Sequence, residues 1–324
     1  MSGTGLKILV IINPNAGRFG ATELAAKLCG ELRQAGAVVR EVFTAGRGDA
    51  REIAFTEAPA YGLVVACGGD GTLSEVISGL MRLRFPPDVG FLPIGSTCDI
   101  ARTFKLPSDP RKAAQGILTG IPFPVDIGRV HGSRPLIRRD LPEGVAPDSP
   151  DLVPDYFSYV TSFGAFTETS YATRRRLKKT LGHFAYVLTG LQSLGGIRPF
   201  DTTVLLDGAD YSGNYIFGGV LNSFSVGGMV KLDDVVFNDG LFEVLLVKPP
   251  RNAGQTAQLI SHLLRRKTSD AMIRRRASEI IFRFKEAVPF TVDGEYGGSR
   301  TDWQIQNIKQ AIRLRIQSPP GTRA

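Results

Sequence analysis

The feature that most constrains this chain is a unit repeated near its start, in which a short apolar segment runs directly into a glycine-containing turn. Helical patterns separate these units, at about 21–36, 49–57 and 73–83. Short apolar strands that alternate with amphipathic helices are typical of a parallel sheet covered by helices on both faces. We therefore predict an α/β domain over residues 1–125. Its strands are expected at 6–12 (LKILVII), 37–43, 61–68 (YGLVVACG) and 89–95 (VGFLPIG).

Beyond residue 125 the pattern becomes that of a second, mainly β domain, which we place at 126–303. Two helical stretches interrupt its strands, at 173–194 and 252–267, and the proline-rich segment 131–155 predicts a loop. Many short strands predict an antiparallel sandwich or partial barrel. One last strand, 304–317, is expected to return to the first domain. The strand-like runs are 156–166, 201–208, 215–223, 242–248, 279–285 and 288–295.

The composition narrows the class of protein. The 324 residues carry a formal net charge of +8, which favours nucleic acid, anionic membrane surfaces or phosphorylated ligands as partners. No nucleic-acid-binding motif accompanies this charge, so we expect no nucleic acid. Cys29, Cys67 and Cys98 lack the spacing of a metal site or a disulfide framework. No apolar run reaches the roughly 18 residues that span a bilayer, and we expect a cytoplasmic protein.

Three glycine-containing turns follow the first, third and fourth predicted strands: NPNAG at 13–17, GGDGT at 68–72 and PIGSTCDIAR at 93–102. The carboxyl ends of parallel strands lie at one edge of a sheet, so these turns should line one crevice. Small residues and backbone amides there allow a phosphate to approach closely, and the following helices would direct their positive ends to it. Each turn alone is also compatible with simple tight turning.

These motifs resemble those of the diacylglycerol kinase catalytic-domain family, which includes bacterial soluble lipid kinases, sphingosine kinases and ceramide kinases. The family carries NPxxG, GGDGT and PxGTxND loops, and here they stand in the same order as NPNAG, GGDGT and PIGSTCD. Later segments extend the resemblance over nearly the whole chain. They are SFGAFTETSY at 162–171, KLDDVVFNDGLFEVLLV at 231–247 and VDGE at 292–295.

The resemblance implies a kinase that uses ATP and Mg²⁺. Asp70 would lie near the phosphates, through magnesium and water, and Glu295 would be the general base that takes the proton from a lipid hydroxyl. A structural magnesium would be held by the Asp239 carboxylate and by the backbone carbonyls of Val236 and Leu241, since oxygen donors suit a hard cation. The residues expected to hold ATP are Asn13, Pro14, Asn15, Ala16, Gly17, Thr44, Gly68, Gly69, Asp70, Gly71, Thr72, Leu73, Ser74 and Ser96.

Two residues depart from the family pattern in the third loop. Ser96 replaces the family's threonine and keeps its hydroxyl. Cys98 replaces the family's asparagine and so loses both a hydrogen-bond donor and an acceptor. The motifs therefore define the geometry of this loop less well than that of the other two loops of the predicted nucleotide site.

Clusters of basic residues favour transient association with a membrane. Near an anionic surface each such residue adds on the order of 1 kcal/mol of attraction, and several together hold a protein reversibly. A solvated helix face is the alternative explanation of such charge runs. The clusters are Arg174, Arg175, Arg176, Lys178 and Lys179; Arg265, Arg266 and Lys267; and Arg274, Arg275 and Arg276.

Several alternatives stay open at this point. Diacylglycerol is the favoured acceptor because the chain resembles the short bacterial members of the family, but other membrane lipids with a hydroxyl would serve. An NAD kinase shares the GGDGT motif, and a catalytically silent lipid- or nucleotide-binding protein could keep the same fold. The residues alone are equally compatible with Asp293 and Glu295 lying in an exposed hairpin turn. The sequence also leaves homodimer formation open.

Overall fold

The computed structural model describes residues 5–17, 20–95, 98–131, 155–164, 199–226, 230–232, 234–264 and 271–320. The chain divides into two compact units. The first combines Met1–Ile127 with Ile308–Ala324, and the second is Gly128–Asn307. The polypeptide therefore leaves the first unit once and returns to it once.

The first unit is built on a parallel sheet with the strand order β2-β1-β3-β4. The inner strands β3 and β4 are buried at every residue, as fits a sheet with helices on both faces. The edge strand β2 alternates between exposed and half-buried residues. This arrangement confirms the predicted parallel α/β core. The bounds are β1 Lys7–Ile12, β2 Val38–Phe43, β3 Leu63–Gly68 and β4 Asp88–Pro93.

Five helices connect these strands or follow them among the described residues. Their apolar faces pack on the sheet: in α1, Ala21, Ala25, Leu28 and Leu32 are buried at helical spacing. The third helix begins at Asp70, inside GGDGT, three residues earlier than predicted, because the backbone amide of its fourth residue already bonds to the residue before the helix. The bounds are α1 Ala21–Gln34, α2 Asp49–Glu57, α3 Asp70–Leu80, α4 Asp99–Thr103 and α5 Pro110–Thr119.

The second unit is antiparallel, as predicted. Its main strand order is β15-β14-β11-β7-β16-β17. Strand β8 also pairs with β16, and β9 and β10 pair with β8. The arrangement of these strands as a sandwich stays a prediction. Strand β5 begins in the first unit and β17 ends in it. The bounds of the remaining elements are β5 Ile121–His131, β6 Tyr156–Phe157, β7 Val160–Gly164, β8 Phe200–Leu206, β9 Ala209–Asp210, β10 Gly213–Tyr215, β11 Phe217–Leu221, β12 Ser225–Val226, β13 Val230–Lys231, β14 Phe242–Val247, α6 Ala253–Leu264, β15 Met272–Ala277, β16 Glu279–Val292 and β17 Glu295–Ile316.

Aromatic side chains form the core of the second unit. Phe163 on β7 lies against Phe282 and Phe290 of β16, with ring centroids 5.3 Å away in both cases. Phe290 in turn stacks on Trp303 of β17 at 4.0 Å. All four residues are completely buried. The strands that carry the predicted VDGE segment therefore contribute to a tightly packed aromatic core.

Some expectations fall outside the described residues. They include the predicted helix at 173–194, all but the ends of the predicted loop 131–155, and two of the basic clusters. Among the residues that the structure describes, no helix combines the length and the apolar composition needed to span a bilayer.

The C-terminal end of β17 joins the sheet of the first unit. It pairs in parallel with β4 at Leu314 and Val89. The buried Asp88 carboxylate beside this pair binds Arg313 Nε at 2.5 Å and Arg315 Nε at 2.9 Å. One carboxylate thus ties the last strand to its neighbour through two ion pairs.

We expect Asp88→Asn to lower the free energy of unfolding by about 1–3 kcal/mol, less than for a fully buried pair because both arginines remain partly exposed. Chemical denaturation followed by far-UV circular dichroism would measure the change. Glu23→Gln, which breaks the exposed pair with Lys27, is the control and should leave the midpoint unchanged. Equal midpoints for the two variants would show that Asp88 does not hold the strand.

Candidate functional site

The three predicted turns come together in the first unit. They follow β1, β3 and β4, which are neighbours in the sheet and end at the same edge. The amide of Asn13 donates to the Cys67 carbonyl at 3.0 Å, and the amide of Ile94 donates to the Gly68 carbonyl at 2.7 Å. The turn after β3 is therefore hydrogen-bonded to the turns on both sides of it.

Side chains reinforce the contact between the first two turns. The Asn13 amide nitrogen donates to Thr72 Oγ1 at 3.1 Å, while its oxygen accepts from the amide of Asn15 at 3.0 Å. Asn13 thus shapes its own turn and reaches into GGDGT. Two predicted residues that follow different strands, Asn13 after β1 and Thr72 on α3, are brought into direct contact.

Glycine permits the backbones of these turns to approach each other. A Cβ on Gly95 would come within 2.7 Å of the Gly69 Cα, and a Cβ on Gly17 within 2.5 Å of the Ile94 carbonyl oxygen. Gly17 also has a φ of +69°, a conformation that L side chains rarely adopt. Glycine at these positions therefore lets the three turns meet backbone to backbone.

The helix α3 begins inside this group of turns. Gly69 precedes it in an extended conformation, and Asp70 is its first residue. The first amides of a helix lack partners within the helix and carry its positive end, which attracts anions. The side chains of Thr72, Leu73 and Ser74 are buried, so at these positions the first turn of α3 packs against the unit.

Cys98, the departure from the family pattern, lies beside the same group. It has a φ of +46°, a region where asparagine is favoured over most other residues. Burial and, to a smaller extent, the nearby Asp70 carboxylate raise the pKa of its thiol to about 11. The thiol is therefore neutral at physiological pH and adds no negative charge to this group of turns.

Thr44 and Glu75 extend the site beyond the three turns. Thr44 is buried, and its amide donates to the Ile12 carbonyl at 2.9 Å. Glu75 on α3 accepts a hydrogen bond from the Gly48 amide at 2.9 Å, and burial raises the pKa of its carboxyl despite that bond. The motifs did not single out Glu75, although an acidic residue within the apolar stretch LSEVISGL could have indicated a partner for a backbone amide.

In the second unit, the VDGE segment forms a hairpin turn between β16 and β17. Asp293 and Gly294 are its two central residues, with φ of +49° and +82°. Glu295 is exposed, whereas Asp293 is only 3% exposed. Burial raises the pKa of the Asp293 carboxyl, although three backbone amides oppose that shift. The exposed-turn alternative is thus wrong for Asp293, because the turn directs this side chain inward.

The predicted metal loop also lies in the second unit. Asp239 Oδ1 accepts from the Leu241 amide at 2.9 Å, and Asp239 Oδ2 forms an ion pair with Arg276. Val236 is exposed. The oxygen donors suit a hard cation, but the guanidinium already occupies one side of the carboxylate. No group of three His, Cys, Asp or Glu side chains placed for a metal occurs in the described part of the chain.

Few of the predicted membrane-binding residues can be placed. Arg274 binds the buried Glu243 at 2.7 Å and Asp234 at 2.7 Å, and Arg276 also approaches Glu243 at 3.3 Å. Arg275 lies over the Tyr211 ring. Much of the charge of this cluster is neutralised within the unit. Ser96 and the clusters at 174–179 and 265–267 lie outside the described residues.

Comparison with known proteins gives consistent matches. The model of the diacylglycerol kinase catalytic domain matches residues 7–130. The chain is 31% identical over 297 residues to a diacylglycerol kinase of Bacillus subtilis (strain 168), covering 89% of each chain. It is 28% identical over 309 residues to a diacylglycerol kinase of Staphylococcus carnosus (strain TM300), covering 94% of this chain and 93% of that one. A solved diacylglycerol kinase structure from Bacillus anthracis str. Sterne has the same fold, with a TM-score of 0.75, 22% identity and 96% coverage of both chains.

We expect Gly17→Ala to weaken ATP binding by about tenfold or more, because the new methyl group would push the first turn away from Ile94. Gly20→Ala is the matched control. Gly20 has a φ of +81°, but a Cβ there would meet nothing within 4 Å, so it carries the backbone strain without the clash. Calorimetric titration with ATP measures both variants. Equal affinities would show that contact between the turns does not shape the binding site.

Proposed function

Because this chain belongs to the diacylglycerol kinase family, we propose that it is a lipid kinase that transfers the γ-phosphoryl group of ATP to diacylglycerol, forming phosphatidic acid. The observation that carries the proposal is the convergence of three glycine-bearing turns and the start of α3 at one edge of the parallel sheet. Backbone amides and a helix N-terminus are suited to a polyphosphate.

The residues proposed to hold ATP are those predicted from the motifs. Gly68 and Gly69 let the backbone of the second turn lie close to Thr72 and Gly95, and the bond between Asn13 and Thr72 holds their turns together. Thr44 borders the same edge through its bond to Ile12. The full proposed set is Asn13–Gly17, Thr44, Gly68–Ser74 and Ser96.

Phosphoryl transfer would then need little covalent participation from the protein. The lipid hydroxyl oxygen forms a bond to the γ-phosphorus, and the bond from that phosphorus to the β–γ bridging oxygen breaks, so that ADP leaves with the electron pair. The hydroxyl proton passes to the Glu295 carboxylate, which serves as general base. Glu295 suits this role because it is an exposed carboxylate at the start of β17.

Magnesium is proposed at two places. Asp70 would hold one ion near the phosphates through water, where the metal would neutralise phosphate charge. Asp239, with the carbonyls of Val236 and Leu241, would hold a structural ion. There the Arg276 guanidinium has to share the carboxylate with the metal or move away from it.

We expect Glu295→Gln to abolish lipid phosphorylation and leave ATP affinity nearly unchanged, because the amide keeps the shape but cannot take a proton. Phosphorylation of vesicles that contain diacylglycerol, followed by mass spectrometry, measures the first effect and calorimetric titration the second. Glu286→Gln, an exposed glutamate on β16, is the matched control and should remain active. Full turnover by the Glu295 variant would show that Glu295 is not the general base.

The same assay separates the alternative activities. Vesicles of diacylglycerol, vesicles with another lipid alcohol and free NAD are each offered with ATP and magnesium. Phosphorylated diacylglycerol as the dominant product supports the proposal. Phosphorylated NAD would indicate an NAD kinase, and no product from any acceptor would indicate a binding protein.

We expect Arg276→Gln to tighten Mg²⁺ or Mn²⁺ binding in the second unit by roughly three- to tenfold, because a competing positive charge is lost at a partly exposed carboxylate. Manganese titration followed by electron paramagnetic resonance measures the affinity without any turnover. Asp239→Asn should abolish this binding event. Arg283→Gln, which breaks the exposed pair with Asp302, is the control. Unchanged affinity in both the Arg276 and Asp239 variants would exclude Asp239 as a ligand.

A further inference from the structure

The tip of the hairpin between β16 and β17 is a two-residue turn. Val292 and Glu295 are paired across it, and Asp293 and Gly294 form the turn itself. Both central residues have positive φ, as in a type I′ turn. Glu295 is therefore placed by the turn, because it is the first strand residue after it.

Asp293 anchors this turn to the segment before β7. Its Oδ2 accepts hydrogen bonds from the amide and the hydroxyl of Ser158, both at 2.8 Å. Its Oδ1 accepts from the amide of Tyr159 at 3.0 Å and from the amide of Val160 at 3.1 Å. Four donors thus meet one carboxylate that is buried in the protein.

The anchor continues along the neighbouring strands. The Asp293 amide donates to the Val160 carbonyl at 2.8 Å. The Thr161 hydroxyl donates to the Thr291 carbonyl at 2.8 Å, and the hydroxyls of Ser162 and Thr291 lie 2.9 Å apart. The turn is therefore held both by its side chain and by the strand that leads into it.

We propose that Asp293 is a positioning residue, whose buried carboxylate fixes the turn against Ser158, Tyr159 and Val160 and so holds Glu295 in its reactive place. The inference rests on the proposed role of Glu295 as general base. Catalysis depends steeply on position, since a displacement of about 1 Å can lower a rate about a hundredfold. Without its donors, a buried carboxylate would also be unfavourable, so the turn and its anchor stabilise each other.

A second turn of the same construction provides a control within this chain. Asp207 and Gly208 have φ of +47° and +83°. The Asp207 carboxylate accepts from the amide and hydroxyl of Ser278, at 3.1 and 2.9 Å, and from the amide of Glu279 at 2.8 Å. This turn joins β8 to β9 and carries no predicted site residue. Asp207 is exposed, unlike Asp293, so a variant there removes a similar set of hydrogen bonds from an Asp-Gly turn, with a smaller loss of stability, without touching Glu295.

The test compares Asp293→Asn with Asp207→Asn in steady-state kinetics with diacylglycerol vesicles, and in thermal unfolding. An asparagine retains one acceptor oxygen and places a donor against the amide that faced the other oxygen. Both variants should unfold at lower temperature. Only Asp293→Asn should lower kcat, by about tenfold or more, with KM for ATP within about twofold of the parent. An unchanged kcat, or equal losses in both variants, would overturn the proposal.

Milder variants decide the matter if Asp293→Asn fails to fold. Ser158→Ala removes one hydroxyl donor from Asp293, and Ser278→Ala removes the corresponding donor from Asp207. We expect kcat to fall roughly threefold for the first and to stay constant for the second; equal values would overturn the proposal. Glu295→Gln is measured in parallel. If Glu295→Gln remains active, Glu295 is not the general base. If Glu295→Gln is inactive while the Asp293 and Ser158 variants keep full activity, only the positioning role of Asp293 is rejected.

Discussion

The first unit depends on approaches between backbone segments that only glycine allows. At the ends of β3 and β4, Gly95 and Gly69 lie so close that a Cβ on Gly95 would collide with the facing backbone, and Gly17 lies in the same way against Ile94. Packing of this kind draws the backbones of the three turns together at the edge of the sheet. A helix N-terminus such as that of α3 attracts anions, and on this basis we propose that phosphate binds there. The phosphate binding proposed for this member of the diacylglycerol kinase family thus depends on glycines, whose lack of a side chain lets the turns meet.

The second unit uses buried carboxylates to shape its loops. Asp293 is surrounded by four hydrogen-bond donors, and Glu243 lies between Arg274 and Arg276. Because a buried charge is tolerated only when it is paired and hydrogen-bonded, Asp293 fixes the backbone that donates to it, and Glu243 fixes the side chains of the two arginines. Glu295 and Asp239, the carboxylates for which we propose a chemical role, are more exposed than these buried groups. On this proposal, buried acidic residues hold the structure and more exposed neighbours act in the chemistry.

Much of the fold was predictable, because hydrophobic periodicity responds directly to burial. The apolar strands of the parallel sheet and the antiparallel strands around Phe163 followed from that pattern. The start of α3 at Asp70 did not, since GGDGT has the composition of a loop and only the bond from the Leu73 amide to Gly69 extends the helix into it. The part played by Glu75 was also missed. Its partner, the Gly48 amide, is 27 residues away along the chain, and no local pattern reports such a bond.

The sequence by itself determined the class of fold and the turns that meet at the edge of the parallel sheet, because apolar strands and the glycines that follow them form short, local patterns. Only the tertiary structure decided which acidic residues are buried anchors and which remain at the surface. The pair Asp-Gly favours the same hairpin turn whether its carboxylate faces water or protein. The donors that bury Asp293 come from residues more than 130 positions away. Distant partners of that kind are set by packing, which no local pattern of residues encodes.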